Sequence, residues 1–319
     1  MRRYDPDLKY LAKHMPEFNI VCAEKGRQTL KRWLSEMAPQ YTHDQIHPQV
    51  NFYDIQAPGL PGQPNVTVRI YQPKQQVMEP RACYLNIHGG GFIMGDLNME
   101  HARCLAFAVR CNAVCVSIDY RLAPEHPYPA ALNDCYATLQ WLALEDNPLN
   151  IDKNRIVVGG ISAGGALAVS LALMSRDLSG PLIAMQMLFY PALDDRCQTD
   201  SMIDGEDLYI WNRQNCVDMW RHYLGGQTPE TLDYAVPARA EDVTYLPTTY
   251  LSVCEHDPLR DEGLEYGCRL LKNGVQVELH CFAGTIHGFD FMQSNAISSQ
   301  AVDEMINFFN RWNKTAQYC

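Results

Sequence analysis

The five residues Gly160-Ile161-Ser162-Ala163-Gly164 constrain this chain more than any other stretch. An apolar run, Arg155-Ile156-Val157-Val158-Gly159, leads into them, and a helical pattern, Ala166-Leu167-Ala168-Val169-Ser170-Leu171, leads out. A strand that turns sharply into a helix with a serine at the apex holds the hydroxyl clear of the backbone, where a neighbouring base can reach it. Small flanking residues are needed, because bulk at the glycines would collide with the strand or the helix. The G-x-S-x-G spacing alone arises by chance in roughly one chain in ten of this length. Its setting between a strand and a helix is what makes Ser162 a candidate nucleophile.

A serine that attacks an acyl carbon produces a tetrahedral intermediate with a negative oxygen. Upstream, Ala82-Cys83-Tyr84-Leu85-Asn86-Ile87 reads as a strand and runs into His88-Gly89-Gly90-Gly91-Phe92. A glycine run lets main-chain N–H groups approach such an oxygen, each worth about 2.7–4 kcal/mol in hydrolase mutagenesis. The N–H groups of Gly90, Gly91 and Ala163 are the candidate oxyanion donors. A phosphate-binding loop is the competing reading, but no Lys-Ser/Thr pair follows the glycines.

In a sheet of this type the partners are expected in the order serine, acid, histidine. Two β-rich runs follow Ser162. Thr248 to Cys254 leads into Glu255-His256-Asp257, and Val275 to Phe282 leads into Gly284-Thr285-Ile286-His287-Gly288. Sites in open α/β sheets form beyond the carboxyl ends of the strands. His287 is therefore the candidate base and Asp257 its orienter. His280 lies inside a strand pattern and reads as structural, while His256 breaks the chain order. Asp261 and Glu262 fall in the first turn of the next expected helix, where acids suit the dipole.

These motifs, with Asp119-Tyr120-Arg121-Leu122-Ala123-Pro124-Glu125-His126-Pro127-Tyr128-Pro129, resemble the bacterial hormone-sensitive-lipase-like esterases of the α/β-hydrolase fold over roughly residues 50 to 315. The resemblance implies a mostly parallel sheet of about eight strands with helices on both faces and a helical cap. It also implies a carboxylesterase acting on short to medium acyl esters without a cofactor, with the triad on Ser162, Asp257 and His287. Cis peptide bonds before Pro124 and Pro129 are implied as well. Arg121 and Glu125 are expected to pair in an ionic brace. Two positions depart from the family's usual pattern: Ile161 stands where an aspartate is usual, and His256 where a tyrosine is usual. The second is expected to face solvent.

Residues 1 to 45 carry Leu8, Leu11, Met15, Leu30, Trp33, Leu34 and Met37 at helical spacings and are expected to form a helical cap segment. The catalytic domain then spans 46 to 319. Strand–helix alternation runs from about 82 to 190, the pattern of a parallel sheet covered on both faces. At about 194 to 240 the alternation stops in a segment rich in Asp, Met, Trp and Tyr, read as a helical insertion completing the cap. Phe92, Tyr190, Tyr209, Trp211 and Ile286 are the candidate substrate-contacting side chains, since such pockets are mostly apolar. An amphipathic helix near Ala301 to Trp312 closes the chain.

The chain has 319 residues, 47% of them hydrophobic, and a net charge of −11. That charge argues against nucleic acid or an anionic membrane as a partner. No apolar run is long enough to span a bilayer and no secretory signal follows Met1-Arg2-Arg3, so a cytoplasmic location is expected. The twelve cysteines are then expected to be mostly reduced and buried, and their spacing suggests no metal site. The partner is a small-molecule ester, and the resemblance makes a homodimer plausible. An amidase, formamidase or lactonase would use the same site, and a non-catalytic small-molecule receptor would keep the fold alone.

Overall fold

The computed structural model describes residues 3–9, 16–37, 47–206, 208, 210–226, 229, 232–291 and 295–316. Its strands are β1 (Val50–Ala57), β2 (Val66–Pro73), β3 (Arg81–Ile87), β4 (Val114–Asp119), β5 (Ile151–Ile161), β6 (Met185–Phe189), β7 (Thr248–His256) and β8 (Val277–Ile286). They form one sheet in the order β1-β2-β4-β3-β5-β6-β7-β8. β2 runs antiparallel to both β1 and β4, and β3 to β8 are parallel neighbours of the sheet's main direction. All of β3, all of β6 and the Arg155–Ile161 part of β5 are buried. Their near-continuous apolar sequences are those of strands covered on both faces.

The helices are α1 (Ala23–Met37), α2 (His101–Cys111), α3 (Ala130–Leu142), α4 (Ala163–Asp177), α5 (Asp200–Asp204), α6 (Arg213–Leu224), α7 (Leu232–Ala235), α8 (Arg260–Lys272) and α9 (Ala296–Ala316). α4 is buried along most of its length, as its Ala, Gly and Leu content requires of a helix packed against the centre of the sheet. α9 extends beyond the stretch expected for it, and Phe309 on it packs edge-on to Phe107 of α2, 4.7 Å between ring centroids. The 194–240 segment is helical without strand among its described residues.

The amino-terminal region is not one helix. Pro6–Leu8 forms a single 3-10 turn, residues 16–20 have no regular structure, and α1 starts at Ala23. Leu11 and Met15 lie outside the described residues. Leu8, Leu30 and Trp33 are buried as their spacing implied.

The segment after β4 keeps both expected cis bonds, Ala123-Pro124 and Tyr128-Pro129. The expected Arg121–Glu125 pair does not form. Arg121 grips the buried carboxylate of Asp134 on α3 at 2.7 Å, and Glu125 points outward to Arg27 of α1 at 2.6 Å. Of the eleven described cysteines all are free and eight are buried, whereas Cys22, Cys268 and Cys281 are exposed.

Candidate active site

The sheet register gathers the candidate residues. Ile87 of β3 lies beside Gly160 of β5, Ile161 beside Phe189 of β6, Phe189 beside Ser252 of β7, and His256 beside Ile286 of β8. Each of three strands stops where a candidate residue begins. Ser162 follows β5, Asp257 follows β7, and His287 follows β8. Parallel strands ending at one level therefore bring three residues that are far apart in sequence to one edge.

Ser162 has φ 54° and ψ −118°, the strained turn expected between β5 and α4. Its N–H donates to the Phe189 carbonyl at 2.9 Å, and its own carbonyl accepts from Ala166 and Ala192. A Cβ at Gly164 would lie 2.0 Å from the Ile87 carbonyl oxygen, so only glycine lets α4 start this close to β3. The Ser162 hydroxyl lies 3.1 Å from Nε2 of His287. Nδ1 of His287 is 2.7 Å from Oδ2 of Asp257, and Oδ1 of Asp257 accepts the Leu259 N–H at 3.0 Å. Asp257 is fully occupied and buried, which fixes the imidazole so that Nε2 faces the serine.

The glycine loop is shaped from behind. The Gly90 carbonyl accepts from the N–H groups of Ile93 and Met94, and the Gly89 N–H donates to Glu100 Oε1 at 3.1 Å. Gly90 (φ 107°) and Gly91 (φ 61°) are both left-handed, and their N–H groups take no partner among the described residues. His88 is buried, stacks on Tyr120 at 4.2 Å and donates from Nδ1 to the Gly89 carbonyl. Burial holds its imidazole down at about 4, so it is a neutral structural group near pH 7.

An apolar cleft opens over Ser162 and the glycine loop, walled mainly by Leu30, Trp33, Met94, Ile161, Trp211 and Phe291. Trp211 stacks on His287, 5.8 Å between centroids and 21° between planes. Of the sequence-derived pocket candidates, Trp211 lines this cleft, and Ile286 lines a smaller neighbouring one. Two others are placed elsewhere. Phe92 stacks on Tyr223 of α6 at 3.8 Å and packs the insertion onto the glycine loop. Tyr190 meets His287 edge-on at 4.9 Å, with its hydroxyl donating to Asp290 at 2.6 Å. Tyr209 lies outside the described residues. His256, expected to face solvent, is instead half-buried, and its Nε2 bonds the Arg3 carbonyl at 3.0 Å. Sequence reasoning did not single out Leu30, Trp33 or Phe291 as lining residues; α1 was visible from its spacing, but not the face it turns to the site. Among the described residues no cluster of three or more His, Cys, Asp or Glu is placed to hold a metal ion.

Known proteins resemble this chain in sequence and in fold. A family model of the alpha/beta hydrolase fold matches residues 84–291. Esterase LipI of Mycobacterium tuberculosis is 38% identical over 251 residues, 76% of each chain. Carboxylesterase NlhH of Mycobacterium tuberculosis is 33% identical over 292 residues, 89% of this chain and 88% of its own. Among solved structures, a bacterial heroin esterase superposes with a TM-score of 0.91 at 38% identity, over 97% of this chain and 98% of that one. With the family match spanning more than half of the chain and such relatives aligned along most of it, the chain belongs to the α/β-hydrolase fold family, in its hormone-sensitive-lipase-like branch.

Proposed function

We propose that this protein is a serine carboxylesterase that hydrolyses short- to medium-chain acyl esters through an acyl-enzyme. The observation that carries the reading is the unbroken hydrogen-bonded chain from Ser162 through His287 to Asp257, opening onto an apolar cleft. The esterase and carboxylesterase names of its relatives support it.

In this mechanism His287 Nε2 takes the Ser162 proton as Oγ attacks the acyl carbon, and Asp257 stabilises the imidazolium without itself being protonated. The N–H groups of Gly90, Gly91 and Ala163 hold the developing oxyanion. His287 then protonates the departing alcohol, and water repeats the sequence on the acyl-enzyme. Ile161 and Trp33 provide an apolar seat for the acyl chain, with α1 and the α5–α7 insertion acting as the cap. Hydrolysis of p-nitrophenyl esters from acetate to laurate tests the reading. The expected profile has high kcat/KM for the shorter chains and falls toward laurate. Absence of turnover across the series, with folded protein, would overturn it.

A further inference from the structure

Three loops carry the site, and each follows a different strand: the glycine loop after β3, the Ser162 turn after β5 and the His287 loop after β8. One buried guanidinium, that of Arg103 in the first turn of α2, connects to all three. Its Nη2 donates to Oδ2 of Asp290 in the His287 loop at 2.6 Å, and both side chains are buried. Oδ1 of Asp290 accepts the Tyr190 hydroxyl, and the Tyr190 ring meets the His287 ring edge-on. Nε of Arg103 lies 3.8 Å from Oε2 of Glu100, whose Oε1 accepts the Gly89 N–H. The guanidinium carbon lies 4.7 Å from the centroid of the Phe189 ring, and the Phe189 carbonyl accepts the Ser162 N–H.

This arrangement is not one that a stable core requires. Apolar side chains of similar volume often replace a buried ionic cluster at no loss of stability. Burial opposes the charge on Arg103, but Asp290, Tyr190 and Glu100 outweigh it and hold the pKa above the usual arginine value. Tyr190, which links Asp290 to the His287 ring, is itself held at φ 37°, a conformation that costs a non-glycine residue on the order of 1–3 kcal/mol.

The esterase reading above, on which this inference rests, says where such rigidity is needed. An ester binding in the apolar cleft needs contact area. The tetrahedral intermediate needs an oxyanion at the Gly90 and Gly91 N–H groups and a proton on His287 Nε2 at the same time. The separation of the two loops therefore matters to the intermediate, and a misplacement of about 1 Å can cost on the order of 100-fold. A planar guanidinium with a rigid fork of donors sets a separation that a flexible point charge does not.

We propose that Arg103 is a positioning residue for the hydrolysis, which fixes the His287 loop against the glycine loop through Asp290 and Glu100 and serves the tetrahedral intermediate, not ester binding.

The test compares two inhibitors on the full chain, a trifluoromethyl alkyl ketone and the methyl ketone of the same chain length. The Ser162 oxygen adds to the carbonyl carbon of the first, its proton passes to His287, and the carbonyl π pair becomes the oxyanion. The second binds without adding. In Arg103→Lys the affinity for the trifluoromethyl ketone should fall by about 10- to 100-fold, with that for the methyl ketone within about twofold of wild type. The triple variant Glu100→Gln, Arg103→Met, Asp290→Asn leaves no unpaired buried charge, and its new amides still accept the Gly89 N–H and the Tyr190 hydroxyl. It should keep a stability near that of wild type and show the same selective loss. Wild-type affinity for both ketones in either folded variant would overturn the proposal. So would equal losses for both ketones, which would mark general damage to the cleft. If neither variant folds, the network is required for the fold and the positioning claim falls. A wild type that binds the two ketones equally would refute the esterase reading itself.

Discussion

At Ser162 the backbone is held at φ 54°, a conformation that costs a non-glycine residue on the order of 1–3 kcal/mol and persists only where the surroundings enforce it. Here the Phe189 carbonyl, the first turn of α4 and the close contact at Gly164 do so. Asp257 plays the complementary part for His287, one oxygen on Nδ1 and the other on the Leu259 N–H. Asp257→Asn keeps the shape but offers an amide where the imidazole needs an acceptor, which favours the wrong tautomer. The expected outcome is a fall in kcat on the order of 10⁴-fold at neutral pH. A loss under about tenfold would remove Asp257 from the orienting role. These three residues were candidates from sequence because each follows a strand pattern, and the structure brings them within hydrogen-bonding distance of one another. Phe92 and Tyr190 misled for a related reason: nearness along the chain to a motif says nothing of which way a ring points, and both turn inward to pack.

Elements buried on both sides were the most legible. β3, β5 and β6 carry runs of apolar residues bounded by turns, and α4 carries the small residues of a helix set close against strands. β1 was not read as a strand, because it is a sheet edge whose Asn51, Asp54 and Gln56 dilute the apolar signal. The amino-terminal helix was legible but its break was passed over, although Pro16 and the gap in the apolar spacing between Met15 and Leu30 mark it. What seats α1 is a long-range contact with no local signature. Arg27 donates to the Ile93 carbonyl at 2.6 Å and the Ala123 carbonyl at 2.9 Å, and pairs with Glu125. Its exposed pairing with Glu125 contributes little on its own; the two carbonyl bonds tie α1 to the loop that follows the glycines and to the segment after β4, and so bring Leu30 and Trp33 over Ser162.

Across the whole molecule, a buried polar network joins the two loops that carry the site. Arg103 of α2 pairs with Asp290 at 2.6 Å, just beyond His287, and lies 3.8 Å from Glu100, which accepts the Gly89 N–H. Burial pushes the Glu100 carboxyl up to about 7, against the opposing pull of Arg103 and the Gly89 N–H. An unfolded glutamate ionises near 4.3, so the native state is favoured by the protonated form below that point and loses this advantage as pH rises toward 7. The loss is on the order of 3–4 kcal/mol for a shift of this size. Glu100→Gln can still accept the Gly89 N–H and has no such titration. The denaturant midpoint of wild type is therefore expected to fall relative to the variant between about pH 4.5 and pH 7.5. Parallel midpoints over that range would contradict the assignment.

The central claim is that Ser162 is the nucleophile of an ester hydrolase, and the most direct measurement is turnover of p-nitrophenyl acetate by wild type and Ser162→Ala side by side. Losing the nucleophile of a triad costs on the order of 10⁴- to 10⁶-fold in kcat, so wild type should turn over and the variant should fall to the background of the uncatalysed reaction. A variant that retained more than about a tenth of wild-type turnover would show that the hydrolysis does not pass through Ser162.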